Sequence, residues 1–277
     1  MIRRSLTEKA IDWDYDSEEL ERFAQEIWPT ISAIPGALSR LESFFLFDIA
    51  RKLGGSKREM DQPNARHVLE IRSYKGRSTT AIGLGLQSNP NGQKIKLVCV
   101  DPQFDPEKGD MAVRKAFEKN IEAAQISDLI TICPGHSNTV VRTWPEENGL
   151  IMLWIDGNHE FEHVRDDLQN WLPFLVPGGV IAAHDWYLVG VQMAIERCVF
   201  GVPYFQHFRA INGNLISATR TDLPPTQLER GRKKRFYWTL KMGNPNVLIH
   251  CLGILRDLAE RPFGSLSGFL RSKPKVR

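Results

Sequence analysis

The sequence lacks the features that define several classes of protein. Its four cysteines, Cys99, Cys133, Cys198 and Cys251, form no CxxC pair, so no zinc-knuckle pattern is present and their use fits a reducing compartment. No apolar run reaches the roughly 18 to 20 residues that a membrane-spanning helix needs. The basic N-terminus is followed by acidic residues rather than by the apolar segment of a secretory signal. We therefore expect a cytoplasmic protein without an integral membrane segment.

The chain also lacks a strong charge of one sign. Its 36 lysines and arginines face 33 aspartates and glutamates, which gives a formal net charge of +3. A dedicated nucleic-acid binder normally carries a much larger basic excess, so we expect no nucleic-acid partner. The composition, with 42% apolar and 25% charged residues over 277 positions, is that of a globular protein large enough to bury a substantial core.

Short apolar runs alternate with segments of helical periodicity through the middle of the chain. The predicted strands lie at 67–72, 96–101, 129–133, 150–156, 180–184, 203–208 and 214–219. The predicted helices lie at 77–87, 109–124, 164–175 and 189–199. Because many of the strands are apolar throughout, we predict an α/β fold with a seven-stranded, mostly parallel sheet and helices on both faces.

Helical segments flank this alternating region. An amphipathic helix is predicted at 17–32, and another near the C-terminus at 247–259. A further helix is predicted at 37–53, and because its aromatic residues are spread around it, we expect it to be covered on more than one side. The basic cluster GRKKR (231–235) is interpreted as a solvated face, with contact to anionic lipid or a phosphorylated substrate as the alternatives. We divide the chain into an N-terminal helical lid, a ligand-binding α/β domain and a basic extension, at 1–60, 61–220 and 221–277.

Parallel sheets bind ligands beyond the carboxyl ends of their strands, and polar residues follow several strands here. The first strand runs into EIRSYKGRST (70–79), a small-residue turn that opens a helix and leaves backbone N–H groups for a ligand. The second strand ends in Asp101, where a carboxylate can accept hydrogen bonds from both hydroxyls of a ribose. Together, in this order, the two features favour a nucleoside-containing cofactor.

Two later strands also end in ionisable groups. Asp156 and His159 follow one strand, and His184 and Asp185 follow the next. Two carboxylates and two imidazoles at neighbouring strand ends can form a divalent metal site with an adjacent base. For any single residue the alternative is structural, with Asp156 capping a helix and His184 packing in the core.

The segment from Glu70 to Asp185 resembles class I S-adenosylmethionine-dependent methyltransferases. More narrowly, it resembles the family that contains macrolide sugar O-methyltransferases and cephalosporin-tailoring proteins, whose pattern is EIGSYxGRST, a strand ending in Asp, and IDGxHxYexvxxDlxxWxpxLkpGGxixxHD. Here these stand as EIRSYKGRST (70–79), VCVD (98–101) and IDGNHEFEHVRDDLQNWLPFLVPGGVIAAHD (155–185). The resemblance covers roughly residues 35–220 and implies a Rossmann-like domain that binds S-adenosylmethionine.

The resemblance also implies roles for individual residues. The turn would wrap the methionine and sugar of the cofactor, Asp101 would hold the ribose, and the segment after the third strand would flank the adenine. The implied cofactor-binding residues are Glu70, Arg72, Ser73, Tyr74, Gly76, Ser78, Asp101, Gly135, His136, Ser137 and Asp156. The implied ligands of Mg²⁺ or another divalent cation are Asp156, His184 and Asp185, and the implied catalytic residues are His159, as general base, and Asp156.

The chain departs from the family pattern at Arg72, which replaces the first glycine of the turn. Its guanidinium either contacts the cofactor carboxylate or intrudes on the cofactor site. The second case would give a weakened or non-catalytic binding protein on the same fold. The other strand-end groups are present, and their presence favours an active enzyme.

The leading hypothesis is O-methyl transfer to a hydroxyl of a sugar or glycosylated small metabolite, assisted by a metal. A second enzyme class is the NAD(P)-dependent short-chain dehydrogenases, because Tyr237 and Lys241 form a YxxxK pair. That pair follows the last predicted strand, and the GxxxGxG turn of such enzymes is missing. The expected partner is a small hydroxylated acceptor, and a homo-oligomer is compatible with the sequence.

Overall fold

The computed structural model describes residues 10–53 and 65–243, which build one sheet with helices packed against it. The strands are β1 (Ala10–Ile11), β2 (Ala65–Ile71), β3 (Lys96–Asp101), β4 (Ile130–Pro134), β5 (Gly149–Ile155), β6 (Leu175–Ala183), β7 (Phe205–Ile211) and β8 (Leu215–Arg220). The helices are α1 (Ser17–Glu26), α2 (Trp28–Ser32), α3 (Arg40–Lys52), α4 (Arg77–Gln87), α5 (Met111–Ala123), α6 (Ser137–Val140), α7 (Phe161–Trp171), α8 (Val189–Ile195) and α9 (Gln227–Gly243).

The sheet order is β1-β7-β8-β6-β5-β2-β3-β4. Strands β2 to β6 pair in parallel, whereas β8 is antiparallel to both β6 and β7. It follows that β7 runs in the same direction as the central strands. The predicted seven-stranded, mostly parallel sheet is therefore confirmed. The two-residue β1, antiparallel to β7, adds an edge strand that no sequence pattern indicated.

The strand register sets the level at which the functional residues leave the sheet. Ile71 pairs with Val100 on one side and with Ile155 on the other, and Ile155 pairs with Ala183. The strands therefore end within about one residue of each other along one edge. Side chains that follow β2, β3, β5 and β6 are brought together there although they are far apart in sequence.

The N-terminal helices differ from the prediction of one helix over 17–32. The chain forms α1 and α2 instead, with Ile27 between them. Pro29 explains the break, because it has no N–H to continue α1 and is tolerated in the first turn of a new helix. Helix α3 begins with a capping box between Ser39 and Glu42 and is buried on several sides, as its scattered aromatic residues predicted.

Helix α3 packs closely on α4, the helix that follows the β2 turn. A Cβ atom at Gly85 would collide with the carbonyl oxygen of Phe47, so the contact requires a glycine. The tryptophans Trp154, Trp171 and Trp186 are buried in the core. This close packing holds the start of α4, and with it the preceding turn, against the core.

The predicted helix end at 175 and the predicted strand start at 180 are wrong. Helix α7 ends at Trp171, and β6 already begins at Leu175. The pairing of β6 with β5 is irregular between Leu150 and Met152, so the Pro-Gly-Gly segment lies within an interrupted strand. A bulge of this kind admits a proline where a regular central strand does not.

Residues 237–277 form a unit distinct from residues 1–236, and the described part of it is the end of α9. The basic cluster at 231–235 lies on α9, a helix that had not been predicted. The helix predicted at 247–259 lies outside the described residues, and the three-part division of the chain stays a prediction. Within the described ranges, no helix is long and apolar enough to cross a membrane.

Candidate active site

The turn between β2 and α4 has an unusual backbone. Arg72, Tyr74 and Gly76 have φ angles of 70°, 49° and 89°, so three of its five residues occupy the left-handed region. Glycine adopts this region freely, whereas other residues do so at a cost of roughly 1–2 kcal/mol. The left-handed backbone at Arg72 explains the glycine in the family pattern, and the turn keeps that backbone despite the arginine.

Glu70 holds the turn from beneath. Its side chain is fully buried and accepts hydrogen bonds from the hydroxyls of Ser73, at 2.9 Å, and of Ser78 and Thr79. Burial raises the pKa of Glu70, and the three hydroxyl donors oppose this shift. Ser73 and Ser78 also line the cavity described below, whereas the Glu70 carboxylate is occupied inside the protein. Glu70 therefore shapes the turn.

Asp101 ties the same turn to the end of β3. It is fully buried, and its Oδ2 accepts a hydrogen bond from the Tyr74 backbone N–H at 2.8 Å. Its Oδ1 accepts one from the Gln103 backbone N–H at 2.9 Å. The side chain of Gln103 lines the cavity, and its Oε1 has no hydrogen-bond partner among the described residues. No sequence motif marked Gln103, which becomes a further candidate for contact with the cofactor.

The segment after β4 meets α7 through a buried carboxylate. Gly135 has a φ of 132°, and His136 precedes α6. The hydroxyl of Ser137 donates to Asp167, whose pKa is raised by burial and lowered less by this hydrogen bond. A Cβ atom at Gly157 would lie 3.4 Å from Asp167, so the segment approaches the loop after β5. Asp167 stands in the family pattern, yet no role had been predicted for it.

The four residues predicted at the ends of β5 and β6 do come together. Possible ligand atoms of Asp156, His184 and Asp185 all lie within 4.8 Å of one another. The Nδ1 atom of His184 is 3.5 Å from Asp156 Oδ1 and 3.4 Å from Asp185 Oδ1. The Nε2 atom of His159 is 2.8 Å from Asp185 Oδ2. One carboxylate of the cluster thus contacts both imidazoles.

The ionisable groups of this cluster shift one another's pKa values. Burial disfavours the charged form of His184, but the carboxylates of Asp156, Asp185 and Glu42 outweigh it and raise the pKa of His184 to about 12. Burial likewise raises the pKa of Asp185, and the neighbouring imidazoles of His184 and His159 more than reverse this. A cation that binds His184 through Nδ1 must displace the proton from that atom.

The donor atoms of the cluster fit a divalent cation. Asp156 and Asp185 each offer a carboxylate oxygen toward the same point, and His184 offers Nδ1. Imidazole is a poorer ligand for Mg²⁺ than for transition metals, so the set suits Mn²⁺ or a similar ion better. The cluster is accessible to a ligand from the cavity, because the side chains of Asp156 and Asp185 are 27% and 14% exposed.

Two further residues contact the buried face of His184, and no motif indicated either. Glu42 of α3 is 2% exposed, and its Oε1 lies 3.6 Å from His184 Nε2. Burial raises the pKa of Glu42, but the nearby His184 ring and the hydrogen bonds from Ser39 hold it below its usual value. The amide Nδ2 of Asn214, which follows β7, lies 2.9 Å from the same His184 nitrogen.

A cavity of about 550 Å³ lies in front of this edge of the sheet. The turn residues 72–74, Gln103, residues 156–159 and the His184–Asp185 pair line it, and residues 35–38 form another wall. Arg77 holds that wall in place through a hydrogen bond to the Gly36 carbonyl oxygen, at 2.5 Å. Arg72 faces the cavity without an ion pair or side-chain hydrogen bond to any residue that the structure describes.

The YxxxK pair lies on a helix that follows the sheet in sequence. Tyr237 and Lys241 lie on α9, after the last strand of the sheet, and the Lys241 ammonium lies 5.6 Å from the centre of the Tyr237 ring. The β2 turn keeps no GxxxGxG sequence. The dehydrogenase hypothesis has no support in this arrangement.

Comparison with known proteins agrees with the fold. A family model described as a methyltransferase domain matches residues 69–186. No curated protein matches the chain by sequence. Among solved structures, the O-methyltransferase TomG from Streptomyces achromogenes in complex with SAM is 16% identical, with 75% of this chain and 91% of that chain covered and a TM-score of 0.50.

Two other solved structures share the fold at a similar level. Cofactor-bound Rv0187 from MTB is 16% identical over 76% of this chain and 100% of that chain, with a TM-score of 0.51. The SAH-bound methyltransferase PaMTH1 from Podospora anserina is 14% identical over 76% and 98%, with a TM-score of 0.51. The matched domain spans the turn, Asp101 and the cluster, and the fold is shared over three quarters of the chain. Residues 69–186 therefore carry a methyltransferase domain, on a fold shared with methyltransferases whose structures hold SAM or SAH.

Proposed function

We propose that the protein transfers the methyl group of S-adenosylmethionine to a hydroxyl of a sugar or glycosylated small metabolite. The proposal includes a divalent cation held by Asp156, His184 and Asp185, and His159 as the general base. The observation that carries it is the 2.8 Å contact between His159 Nε2 and Asp185 Oδ2 at the edge of the cavity. With that contact, the proposed base would lie beside the cluster that would hold the acceptor hydroxyl.

The cofactor would occupy the β2–β4 part of the strand edge. The turn at 72–76 would surround its methionine portion, and the segment 135–137 would flank its adenine. Asp101 is fully buried behind the cavity lining, and the lone pairs that it keeps after its bonds to Tyr74 and Gln103 would meet ribose hydroxyls only beside the Gln103 side chain. Arg72, which has no ion-pair partner among the described residues, would meet the cofactor carboxylate.

For methyl transfer, the protein must align the acceptor hydroxyl with the methyl group and remove the proton of that hydroxyl. The sulfonium is already activated, so the enzyme must hold the acceptor oxygen in line with the methyl group and the sulfur. A bound divalent cation would lower the pKa of the acceptor hydroxyl and orient it. The methyl group then moves from sulfur to oxygen, the hydroxyl proton passes to His159, and S-adenosylhomocysteine and a methyl ether are the products.

The partner of His159 determines which of its nitrogens acts as the base. When Nε2–H donates to Asp185, the other nitrogen, Nδ1, is free to accept a proton. The side chain of His159 is 47% exposed, so an acceptor in the cavity can reach it. Asp185 can meanwhile offer its Oδ1 to the cation and its Oδ2 to His159. Asp185 thus links the two parts of the catalytic machinery.

The lining of the cavity supports a hydroxylated acceptor. Carboxylates, imidazoles, guanidiniums and the Gln103 amide face it, and these groups bind hydroxyl-rich ligands better than apolar ones. The family resemblance of the 155–185 segment adds support for a sugar. The acceptor is therefore proposed as a sugar or a glycosylated small molecule.

The test is methyl transfer from labelled cofactor to a panel of hydroxylated sugars, with and without EDTA. We expect His159→Ala to lower turnover by about 10²–10⁴-fold, the range for loss of a general base, with cofactor affinity little changed. His163→Ala is the matched control, since His163 is exposed on α7 and faces Glu160. Full activity in EDTA would remove the cation from the proposal, and full activity of His159→Ala would remove the base.

A further inference from the structure

Glu42 is a buried carboxylate that the proposed reaction does not use. Its Oε2 closes the capping box of α3 by accepting from Ser39 N, at 2.8 Å, and Ser39 Oγ, at 2.6 Å. Its Oε1 is buried without a hydrogen-bond partner among the described residues and lies 3.6 Å from His184 Nε2. The capping box therefore explains only one of the two oxygens, and the other is turned toward the cluster.

The two ring nitrogens of His184 face different surroundings. Nδ1 faces the carboxylates of Asp156 and Asp185, where a cation would bind. Nε2 faces Glu42 and Asn214 on the buried side. A histidine binds a cation through one nitrogen only when the proton resides on the other, so cation binding at Nδ1 requires a proton on Nε2.

Glu42 and Asn214 differ in what they can do for that proton. The Asn214 Nδ2 group 2.9 Å from the ring can only donate, so a proton on Nε2 requires the amide to turn its Oδ1, which has no partner among the described residues, toward the ring. An ionised carboxylate can only accept. Glu42 is therefore the group that selects the form of His184 with the proton on Nε2, and it also makes Nδ1 a stronger ligand.

We infer that Glu42 is a positioning residue that fixes the His184 ring for cation binding, an inference that rests on the cation in the proposed function. Residues 35–38 form one wall of the cavity, and the chain that follows them supplies Glu42, which supports the cluster. Ser39 strengthens this link, since it also accepts a hydrogen bond from Asn212 Nδ2 at 2.8 Å. The start of α3 and the β7–β8 turn thus hold His184 from behind.

The test measures Mn²⁺ binding by calorimetry, and independently by the electron paramagnetic resonance signal of free Mn²⁺, in the full-length chain. Glu42→Gln keeps the length of the side chain and can still close a capping box, but it removes the charged acceptor. We expect its Mn²⁺ affinity to fall about 10–100-fold, as for other residues that support a metal ligand, with S-adenosylmethionine affinity unchanged.

The matched control is Glu229→Gln. Glu229 closes a similar capping box with Thr226 at the start of α9 and contacts Thr226 rather than the cluster. We expect its Mn²⁺ affinity to equal that of the wild type, and both variants to melt at similar temperatures in EDTA. This comparison separates loss of the capping box from loss of support for His184.

Three outcomes would overturn the inference. Wild-type Mn²⁺ affinity in Glu42→Gln would remove Glu42 while leaving the proposed cation intact. An equal loss in Glu42→Gln and Glu229→Gln would assign the effect to helix capping. No Mn²⁺ binding by the wild type would overturn the proposed cation together with the inference, and this failure is distinguishable because it appears before any substitution is made.

Discussion

The carboxyl ends of the parallel strands form two halves of the candidate site, one after β2 and β3 and the other after β5 and β6. The two halves differ in how the hydrogen-bonding groups of their polar side chains are satisfied. At the ends of β2 and β3, both oxygens of Glu70 and of Asp101 accept hydrogen bonds from neighbouring residues. At the ends of β5 and β6, His184 Nδ1 and Glu42 Oε1 are buried without a hydrogen bond of normal geometry among the described residues. The carboxylates of the first half are satisfied within the protein, whereas the second half gathers charged groups that a ligand would satisfy.

In the proposed function, the first half would bind the cofactor and the second would carry out the chemistry. A scaffold whose carboxylates are satisfied internally can shape a binding turn at little cost when the ligand arrives. A cluster of three carboxylates around one imidazole is costly unless a positive charge resides in it. Substitutions in the two halves should therefore have different consequences, and the following predictions exploit that difference.

The largest effect is expected in the second half, from Asp185→Ala. The change removes a proposed cation ligand and also the partner of His159, so turnover should fall by about 10³–10⁴-fold. Cofactor affinity measured by calorimetry should stay near that of the wild type. Asp166→Ala is the control, because Asp166 on α7 pairs with Arg165. Retention of a tenth or more of wild-type turnover by Asp185→Ala would contradict the assignment.

The position of this cluster could be predicted from sequence, whereas its support could not. Asp156 and His184 directly follow apolar runs, and parallel strands bring such ends to one edge, so short-range pattern and topology were sufficient. Glu42 and Asn214 reach His184 from a helix and a turn distant in sequence. Their contacts depend on tertiary packing, which no local periodicity encodes.

The same contrast holds for the elements of the fold. The helix at 77–87 and the strand at 96–101 were predicted with their observed bounds, because a turn or a polar residue marks both ends. The break at Pro29 and the strand through Pro177 were not predicted. Proline has opposite consequences at a helix start and at a bulge, and only the packed structure determines which applies.

A smaller effect is expected in the first half, from Asp101→Ala. The change releases the backbone N–H groups of Tyr74 and Gln103 and removes the proposed ribose contact. Binding of S-adenosylmethionine should weaken by roughly 1.5–3 kcal/mol, the scale of a hydrogen bond to a charged group. The control is Asp105→Ala, since Asp105 accepts from two backbone N–H groups at an exposed site. Unchanged affinity in calorimetry would exclude Asp101 from the cofactor site.

Arg72→Gly tests the one charged group of the first half that has no described partner. Glycine relieves the left-handed backbone, so the free energy of unfolding should rise by about 1 kcal/mol. Loss of the guanidinium should weaken S-adenosylmethionine binding about tenfold, as expected for one charge-assisted hydrogen bond. Denaturant unfolding and calorimetry measure the two effects. Tighter binding by the glycine variant would show that Arg72 obstructs the cofactor.

The smallest effect is expected at Lys233, which lies outside both halves of the site. It measures how much the burial of one charged side chain lowers the stability of the fold. Burial lowers the pKa of Lys233 to about 8, while its Nζ donates to the Val202 carbonyl oxygen at 2.7 Å. The unfolded chain keeps this proton up to about pH 10.4, so it binds more protons than the folded chain between pH 8 and 10.4. Stability should therefore rise with pH across that window.

Lys233→Met removes this dependence. The wild type should gain about 1 kcal/mol relative to the variant between pH 7.5 and 9.5, a value reduced because the side chain is partly in solvent. Thermal unfolding of both proteins at the two pH values gives the comparison. Parallel pH profiles for the wild type and the variant would show that Lys233 does not carry the effect.

The most direct test of the division between the two halves is a pair of calorimetric titrations, with S-adenosylmethionine and with Mn²⁺, on Asp101→Ala and Asp185→Asn. We predict that Asp101→Ala loses affinity for S-adenosylmethionine and keeps its affinity for Mn²⁺. We predict the reverse for Asp185→Asn, which keeps the shape of the side chain but removes its charge. Loss of both ligands in either variant would contradict the account, because it would show that the two halves act as one site.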